Sequence, residues 1–379
     1  MKTKDLYAVI VGVSLLLVGI QPTLAVIQIP GDDSYYDIID GVCVLNQDVV
    51  GTIEITSPEI TLDGGGHTVS GTGTTEERGV FLSYMDNVTI RNLTVKDFDG
   101  KGSSGIFIQC CSGVSVTGNN ISNNYWGMYL YSCGSNTVTD NNVSGNAGGI
   151  WVNADSNYNA VEGNIVSNNT GNGIYIRNSC HNTVTGNTVS SNGFNFRIRS
   201  YDNETTTDNE VYNNNFEKGL TGQQALVDVV GSGYIADNVF NRSLSDGGNY
   251  WSDWTGPDDE EPFGIVDESY DFTGGQDELP WTVQDGWLST TRAIIDIMVL
   301  VGTVADLNAQ QGIINSLDAK LGSALNALDD VNENNDVAAL NSLQAFINAV
   351  EAQSGNKITE EQADVLVEEA QRIINLLIP

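Results

Sequence analysis

Asp97 and Asp99 stand two residues apart around Phe98, and Arg177, Arg197 and Arg199 close two short apolar runs further along the chain. Two carboxylates flanking a glycosidic bond can serve as general acid and base. A guanidinium near them can act as base or as a clamp on an acidic substrate in a lyase. His181 is the imidazole closest to the arginines in sequence. The chain has no Gly-His-Gly, no Asp-Pro-His and no Asp pair matched between successive repeats. Asp97 and Asp99 therefore read first as turn and solubility residues, and His181 as a solvated turn residue. Asp97, Asp99, Arg177 and Arg197 remain the catalytic candidates of an alternative reading.

A second set of residues has a regular spacing. The motif Gly-apolar-x-apolar recurs from Gly79, Gly105, Gly127, Gly149 and Gly173, with a degenerate copy from Asn195. In an extended strand, alternate residues point to opposite faces. If the apolar pair of each motif points inward, the residue between points outward, giving the column Phe81, Phe107, Tyr129, Trp151, Tyr175 and Arg197. Two residues on, the outward positions are Ser83, Gln109, Tyr131, Asn153, Arg177 and Arg199. Aromatic faces take the C–H faces of sugar rings, and amides and guanidinium groups take their hydroxyls. Phe107, Tyr129, Tyr131, Trp151, Tyr175, Arg177 and Arg197 are thus the expected carbohydrate-binding residues. Aromatic ladders that only stabilise a sheet are the competing explanation.

Metal-binding chemistry has little to work with. Cys43, Cys110, Cys111, Cys133 and Cys180 include no CxxC pair, and His67 and His181 are the only imidazoles. No metal site is expected, and no cofactor. Calcium has no recognisable motif, although the acidity of the chain leaves it open. Cys111 and Cys133 each lie six residues after their motif glycine, so they stack in successive repeats. A disulfide between them is the first expectation, and a ladder of buried thiols is the second.

The elements that must position these side chains follow from the repeat itself. Asn119, Asn141, Asn164, Asn187 and Asn209 recur at steps of 22 or 23 residues within segments such as Asn-Thr-Val-Thr-Gly-Asn. Short runs of β-branched residues separated by Gly, Asn and Ser predict strands of three to five residues with sharp turns. One such unit cannot bury its own apolar face, so the units must stack. The fold expected is mainly β: a right-handed parallel β-helix of about seven coils, each of about 22 residues. The recurrent Asn residues are expected to bond to one another up the stack and to occupy left-handed turn positions.

Composition narrows the setting. The 379 residues carry 15 basic and 49 acidic side chains, a formal net charge of −34. Such a surface repels nucleic acid and anionic lipid. The basic start Met1-Lys2-Thr3-Lys4, the apolar run Leu6–Ile20 and the small residues Thr23 and Ala25 read as a signal peptide. The apolar stretch Ile294–Val304 is interrupted by Asp296 and suits a buried helix better than a membrane span. The chain is expected to be secreted or held at the cell surface, with no membrane contact once the leader is cleaved.

The run from about Ile53 to Trp281 resembles the NosD-like β-helix proteins of archaea and bacteria. The residues that carry the likeness are Ile60-Thr-Leu-Asp-Gly-Gly-Gly-His-Thr-Val-Ser-Gly, the Asn-Thr-Val-Thr-Gly-Asn repeats and Gly248-Asn-Tyr-Trp-Ser-Asp-Trp-Thr-Gly-Pro-Asp. The resemblance implies the fold and, by the family's name, copper handling. Two His and four Met residues without a cluster argue against copper binding in this chain. The family's Gly/Asp-rich stretch after the closing motif is altered here, from Asp258 to Asp267, which leaves a cation site there unsupported.

Beyond Trp287 the Asn/Gly beat gives way to helical spacing: Ile313, Leu317, Leu321, Leu325 and Leu328, then Leu340, Leu343, Phe346, Ile347 and Val350, then Val365, Leu366, Ala370, Ile373 and Leu377. Thr359-Glu-Glu-Gln is a capping-box start. Leu340–Thr359 resembles the FIMAH-type helical module, which implies an accessory role. The expected division is a leader (1–25), an N-terminal cap (26–56), β-helix repeats (57–243), a C-terminal cap and linker (244–287) and a helical bundle (288–379). The expected function is a non-catalytic protein binding polysaccharide or another envelope component through the outward aromatic ribbon. A polysaccharide lyase, hydrolase or epimerase is one alternative, and a structural surface protein docking partners through its helices is the other.

Overall fold

The computed structural model describes residues 25–32, 34–243, 246–258, 264–305, 307, 309–328 and 336–378. The leader read at the N-terminus and the altered acidic stretch at 259–263 lie outside the described residues. The chain divides into two compact units, each with its own interior. One comprises Met1–Val211, Phe216–Val239 and Phe272–Gly275, the other Tyr212–Asn215, Phe240–Asp271 and Gln276–Pro379.

The first unit is a parallel β-solenoid of about eight turns. One coil shows how it is made. The long strand Trp126–Tyr131 turns a corner into Thr137–Thr139, a second corner leads to Asn142–Ser144, and a third delivers the chain to the next long strand, Gly148–Asn153. Like strands pair in parallel and in register. Ile108, Leu130, Val152, Ile176 and Ile198 form one interior stack. Val116, Val138, Val161 and Val184 form another, and Ile121, Val143, Val166 and Val189 a third. All of these side chains are fully buried, each stabilising the stack by about 1.5–3 kcal/mol of apolar burial. The coil count exceeds the expected seven because Val49–Ile55 and Ala225–Val229 form long strands without the glycine motif. At the start, Tyr36–Ile39 and Val42–Leu45 make an antiparallel hairpin. Its Asp40-Gly41 turn has both residues at positive φ, as a tight two-residue turn requires.

Asparagine ladders run up three corners. Asn119, Asn141, Asn164 and Asn187 form the expected one, each side-chain amide donating to the next Oδ1 at 2.9–3.0 Å. Asn136, Asn159, Asn182, Asn209 and Asn238 form a second, and Asn124, Asn146, Asn169 and Asn192 a third. Asn209 therefore belongs to a different ladder from Asn187. The left-handed turn residue also differs from expectation: it is the residue before the ladder Asn. Gly118, Asp140, Gly163 and Gly186 have φ of 64°, 55°, 62° and 66°. The ladder Asn itself points inward, where its amide meets carbonyls of the coil below.

In the second unit, four helices, Ser289–Ala305, Gln311–Leu328, Asp336–Glu351 and Glu360–Leu377, pack around Leu317, Leu321, Leu343, Phe346, Leu366 and Ile373. The capping box forms as read: the Thr359 hydroxyl accepts from Gln362 N–H at 3.1 Å and Gln362 Oε1 accepts from Thr359 N–H at 3.1 Å. Val365, spaced as a core residue, is instead exposed, and it lines a shallow groove with Val299, Gly302 and Thr303. Asp296, which interrupts the apolar stretch, is buried against Arg372 Nη1 at 2.9 Å. Among the described residues no helix is long and apolar enough to cross a membrane. This unit also holds the closing motif. Asn214 donates to Asn249, Asn249 and the Trp251 indole donate to Asp277 Oδ2, and Leu279 N–H donates to Asp277 Oδ1.

Candidate functional site

The long strands present their alternate residues outward, as the sequence requires. Trp126, Tyr129 and Tyr131 are half-buried, whereas Gly127, Met128 and Leu130 between them are buried. Register then builds the expected columns: Phe81, Phe107, Tyr129, Trp151, Tyr175 and Arg197 side by side, and Gln109, Tyr131, Asn153, Arg177 and Arg199 alongside them.

The aromatic column faces outward but is not an open ribbon. Its rings pack on one another, with centroids 5.8 Å apart for Phe81 and Phe107, 5.2 Å for Phe107 and Tyr129, 5.7 Å for Tyr129 and Trp151, and 4.8 Å for Trp151 and Tyr175. The Arg78 guanidinium covers Phe81 and Phe107, 4.4 Å from each ring centroid. Phe107 is only 7% exposed and Tyr175 only 4%. These two form the floor of the face and cannot be contact residues in the way the spacing suggested. Their burial has an electrostatic consequence: loss of solvent pushes the Tyr175 hydroxyl up from its ordinary pKa, and that of Tyr129 likewise.

One aromatic residue was missed. Trp126 stacks on Trp151 with centroids 4.0 Å apart, because Gly148, its neighbour in register, has no side chain. A Cβ there would sit 2.5 Å from the Trp126 ring. The pairing of an outward Trp with a Gly one coil later is a signal the sequence did contain.

Polar groups gather at the far end of the columns. Asp228 Oδ1 and Oδ2 accept from Arg197 Nε and Nη2, both at 3.0 Å, and Oδ2 also accepts from Arg199 Nε at 2.8 Å and from Arg199 Nη2. Arg199 Nη1 donates to the Tyr201 hydroxyl at 3.2 Å, and the Arg177 guanidinium lies 4.1 Å over the Tyr201 ring. Burial works to lower the Arg199 pKa, but its bonds to Tyr201 and Asp228 outweigh that and hold it above its usual value. Asn153 is 5% exposed and its Nδ2 donates to Tyr129 Oη at 2.7 Å. Its Oδ1, the Arg177 Nε and the Trp151 Nε1 are buried without a hydrogen-bond partner.

The catalytic candidates do not come together. Asp97 sits at a corner with φ of 65° and pairs with Lys96 at 3.5 Å. It and Asp99 precede the long strand Ser104–Gln109, three coils from the Arg177 strand by register, or roughly 14 Å along the axis at the usual strand spacing. His181 is a left-handed corner residue stacked on Tyr158, with ring centroids 4.8 Å apart. No acid–base pair with the arginines results.

Cys111 and Cys133 stand in successive coils, but the expected bridge is absent and both are free thiols. The Cys133 thiol instead donates to Ile108 O and Tyr131 O, and burial pushes its pKa up to about 11. Copper, which the resemblance implies, takes thiolate, thioether and imidazole donors. Among the described residues no group of three His, Cys, Asp or Glu side chains could hold a metal ion.

Solved structures similar to the chain include the A-module of the mannuronan C-5 epimerase AlgE4 of Azotobacter vinelandii, at 15% identity over 55% of this chain and 70% of that one, with a TM-score of 0.35. A mutant of the periplasmic alginate epimerase AlgG is 18% identical over half of each chain, with a TM-score of 0.33. An alginate lyase from Paenibacillus sp. is 13% identical over 52% of this chain and 91% of that one, with a TM-score of 0.24. No curated protein matches the sequence. The family model described as periplasmic copper-binding protein (NosD) matches residues 40–256, more than half of the chain, and the chain therefore belongs to the NosD family.

Proposed function

We propose that this protein is a secreted or surface-held, non-catalytic saccharide-binding protein, and that its site is the outer face of the long-strand sheet between Trp126 and Arg177. One observation carries the reading. Buried polar atoms are almost always paired, yet Trp151 Nε1, Asn153 Oδ1 and Arg177 Nε are not. They account for three of the four such atoms among the described residues, and they lie on neighbouring coils of one face. Each unmade bond costs about 1–3 kcal/mol. A molecule bearing several hydroxyls and an apolar ring face matches that deficit. Its hydroxyls pair with the amide, the indole and the guanidinium. Its ring rests on Trp126 and Tyr131, while the packed column beneath holds the surface rigid.

The test is a screen of soluble polysaccharides against the full chain, beside a Trp126→Ala/Tyr131→Ala variant, with assays for new reducing ends and for unsaturated products. Binding that the variant loses, without product, supports the reading. Product formation overturns the non-catalytic part of it and favours a lyase, hydrolase or epimerase. Failure to bind any saccharide overturns it and leaves a structural protein that docks partners.

A further inference from the structure

We infer that the Arg177 end of this face is a carboxylate subsite, so that the saccharide it takes is an acidic one, a chain of uronate residues; the inference rests on the saccharide reading. The chain carries only 15 basic residues against 49 acidic ones, yet Arg177, Arg197 and Arg199 come together on register-neighbouring positions of two adjacent coils. The one carboxylate shown among them, Asp228, is bonded to Arg197 and Arg199. Three guanidinium groups against one carboxylate leave two positive charges in surplus on a chain whose net charge is −34. Bringing three like charges together costs Coulomb energy.

Arg177 is the open member of the trio. Its guanidinium lies over the Tyr201 ring at 4.1 Å, which fixes its plane, and its Nε is buried with no acceptor. A carboxylate placed in that plane accepts from Nε and a terminal nitrogen together, the fork geometry that guanidinium groups favour. The neighbouring arginine already shows this arrangement, since Arg197 Nε and Nη2 hold the two oxygens of Asp228 at 3.0 Å each. One coil away, the unpaired Asn153 Oδ1 is an acceptor, suited to a hydroxyl and unsuited to a second carboxylate. Acceptor and fork side by side match a sugar residue that bears both groups. A neutral glycan would leave Arg177 without its counter-ion.

Calorimetry on the full chain with three probes tests this: a hexamer of galacturonic acid, the same hexamer fully methyl-esterified, and cellohexaose. The acid is expected to bind about tenfold or more tightly than its ester, the worth of a charge-assisted bidentate contact. Arg177→Gln is expected to erase that difference by weakening the acid far more than the ester, in a variant whose circular dichroism shows it folded. Arg177→Lys, which keeps the charge without the fork, is expected to recover part of it. An ester or cellohexaose that binds as tightly as the acid overturns the carboxylate subsite and leaves the saccharide reading standing. A sulfated hexamer that outcompetes the acid also overturns it. Absence of binding by all three, in a chain whose circular dichroism shows it folded, overturns the subsite, and only a hit in the wider polysaccharide screen then keeps the saccharide reading.

Discussion

Replacing Asn141 by alanine removes five hydrogen bonds from the middle of the solenoid. Its Nδ2 donates to Val116 O at 2.9 Å, Thr139 O at 2.8 Å and Asn164 Oδ1 at 3.0 Å, and its Oδ1 accepts from Asn119 N at 3.0 Å and Asn119 Nδ2 at 2.9 Å. Some of these partners are served elsewhere. Asn119 Nδ2 keeps Ile90 O and Thr117 O, and Asn164 Oδ1 keeps the backbone N–H of residue 141. The Thr139 carbonyl keeps the Gly118 N–H, whereas the Asn119 N–H and the Val116 carbonyl lose a bond in a site closed to water. At about 1–3 kcal/mol for each buried group left short, the expected loss is about 2–6 kcal/mol. For a unit of this size that corresponds to a melting point lower by roughly 4–24 °C. The assay is thermal and urea unfolding followed by circular dichroism. Asn142→Ala serves as the control, because Asn142 is the exposed neighbour on the same strand and should change stability by no more than about 0.5 kcal/mol. Equal midpoints for the two variants would refute the claim that the inward amides, and not the valine stacks alone, hold successive coils together.

Three further outcomes follow from other positions. Asp277 is fully buried, and loss of solvent raises its pKa to about 7 despite the four donors aimed at it. The folded state therefore holds the proton more tightly than the unfolded one. Its contribution to stability is complete below about pH 4, declines by roughly 4 kcal/mol as the pH rises to about 7, and is flat beyond; Asp277→Asn should flatten that segment of a stability–pH profile. Gly148→Ala should displace the Trp126 indole, whose ring would lie 2.5 Å from the new Cβ, seen as a shift in tryptophan fluorescence with little change in the far-ultraviolet spectrum. Cys111 and Cys133, buried and held protonated, should resist a thiol reagent in the native chain while Cys110 and Cys180 react, and a reductant should leave the melting point unchanged.

Periodicity made the solenoid legible because each coil repeats one structural problem. The inward valine and isoleucine positions, the glycine that opens each long strand and the asparagine at each corner recur on the beat, and a reader of spacing finds them. The same method misplaces whatever keeps the beat by coincidence. Asn209 follows Asn187 by 22 residues, yet its bonded partner is Asn182, 27 residues away. Cys111 and Cys133 share a register that would suit a bridge, yet both are free thiols. Spacing fixes which coil a residue occupies; it does not fix which corner it occupies, nor how its bonds close.

That limit bears hardest on the candidate site. Its aromatic and arginine columns are periodic and were visible in the sequence, but the groups that give them character are not. Tyr201 comes from the extra residues that lengthen one coil to that 27-residue step, and Asp228 arrives 31 residues after Arg197. Nothing in a repeat pattern marks either, because both belong to departures from it. Without Asp228 the three arginines repel one another, and without Tyr201 the Arg177 plane is unfixed. A ladder that serves only the fold closes its side-chain bonds within the fold, as the asparagines do at three corners, on one another and on backbone carbonyls. The outer face does not: one of its columns passes from tyrosine to asparagine to arginine within three coils, and the face leaves an indole N–H, an amide oxygen and a guanidinium N–H unpaired. In a structure that otherwise repeats its solutions, unsatisfied groups on one face are where a second molecule has something to supply.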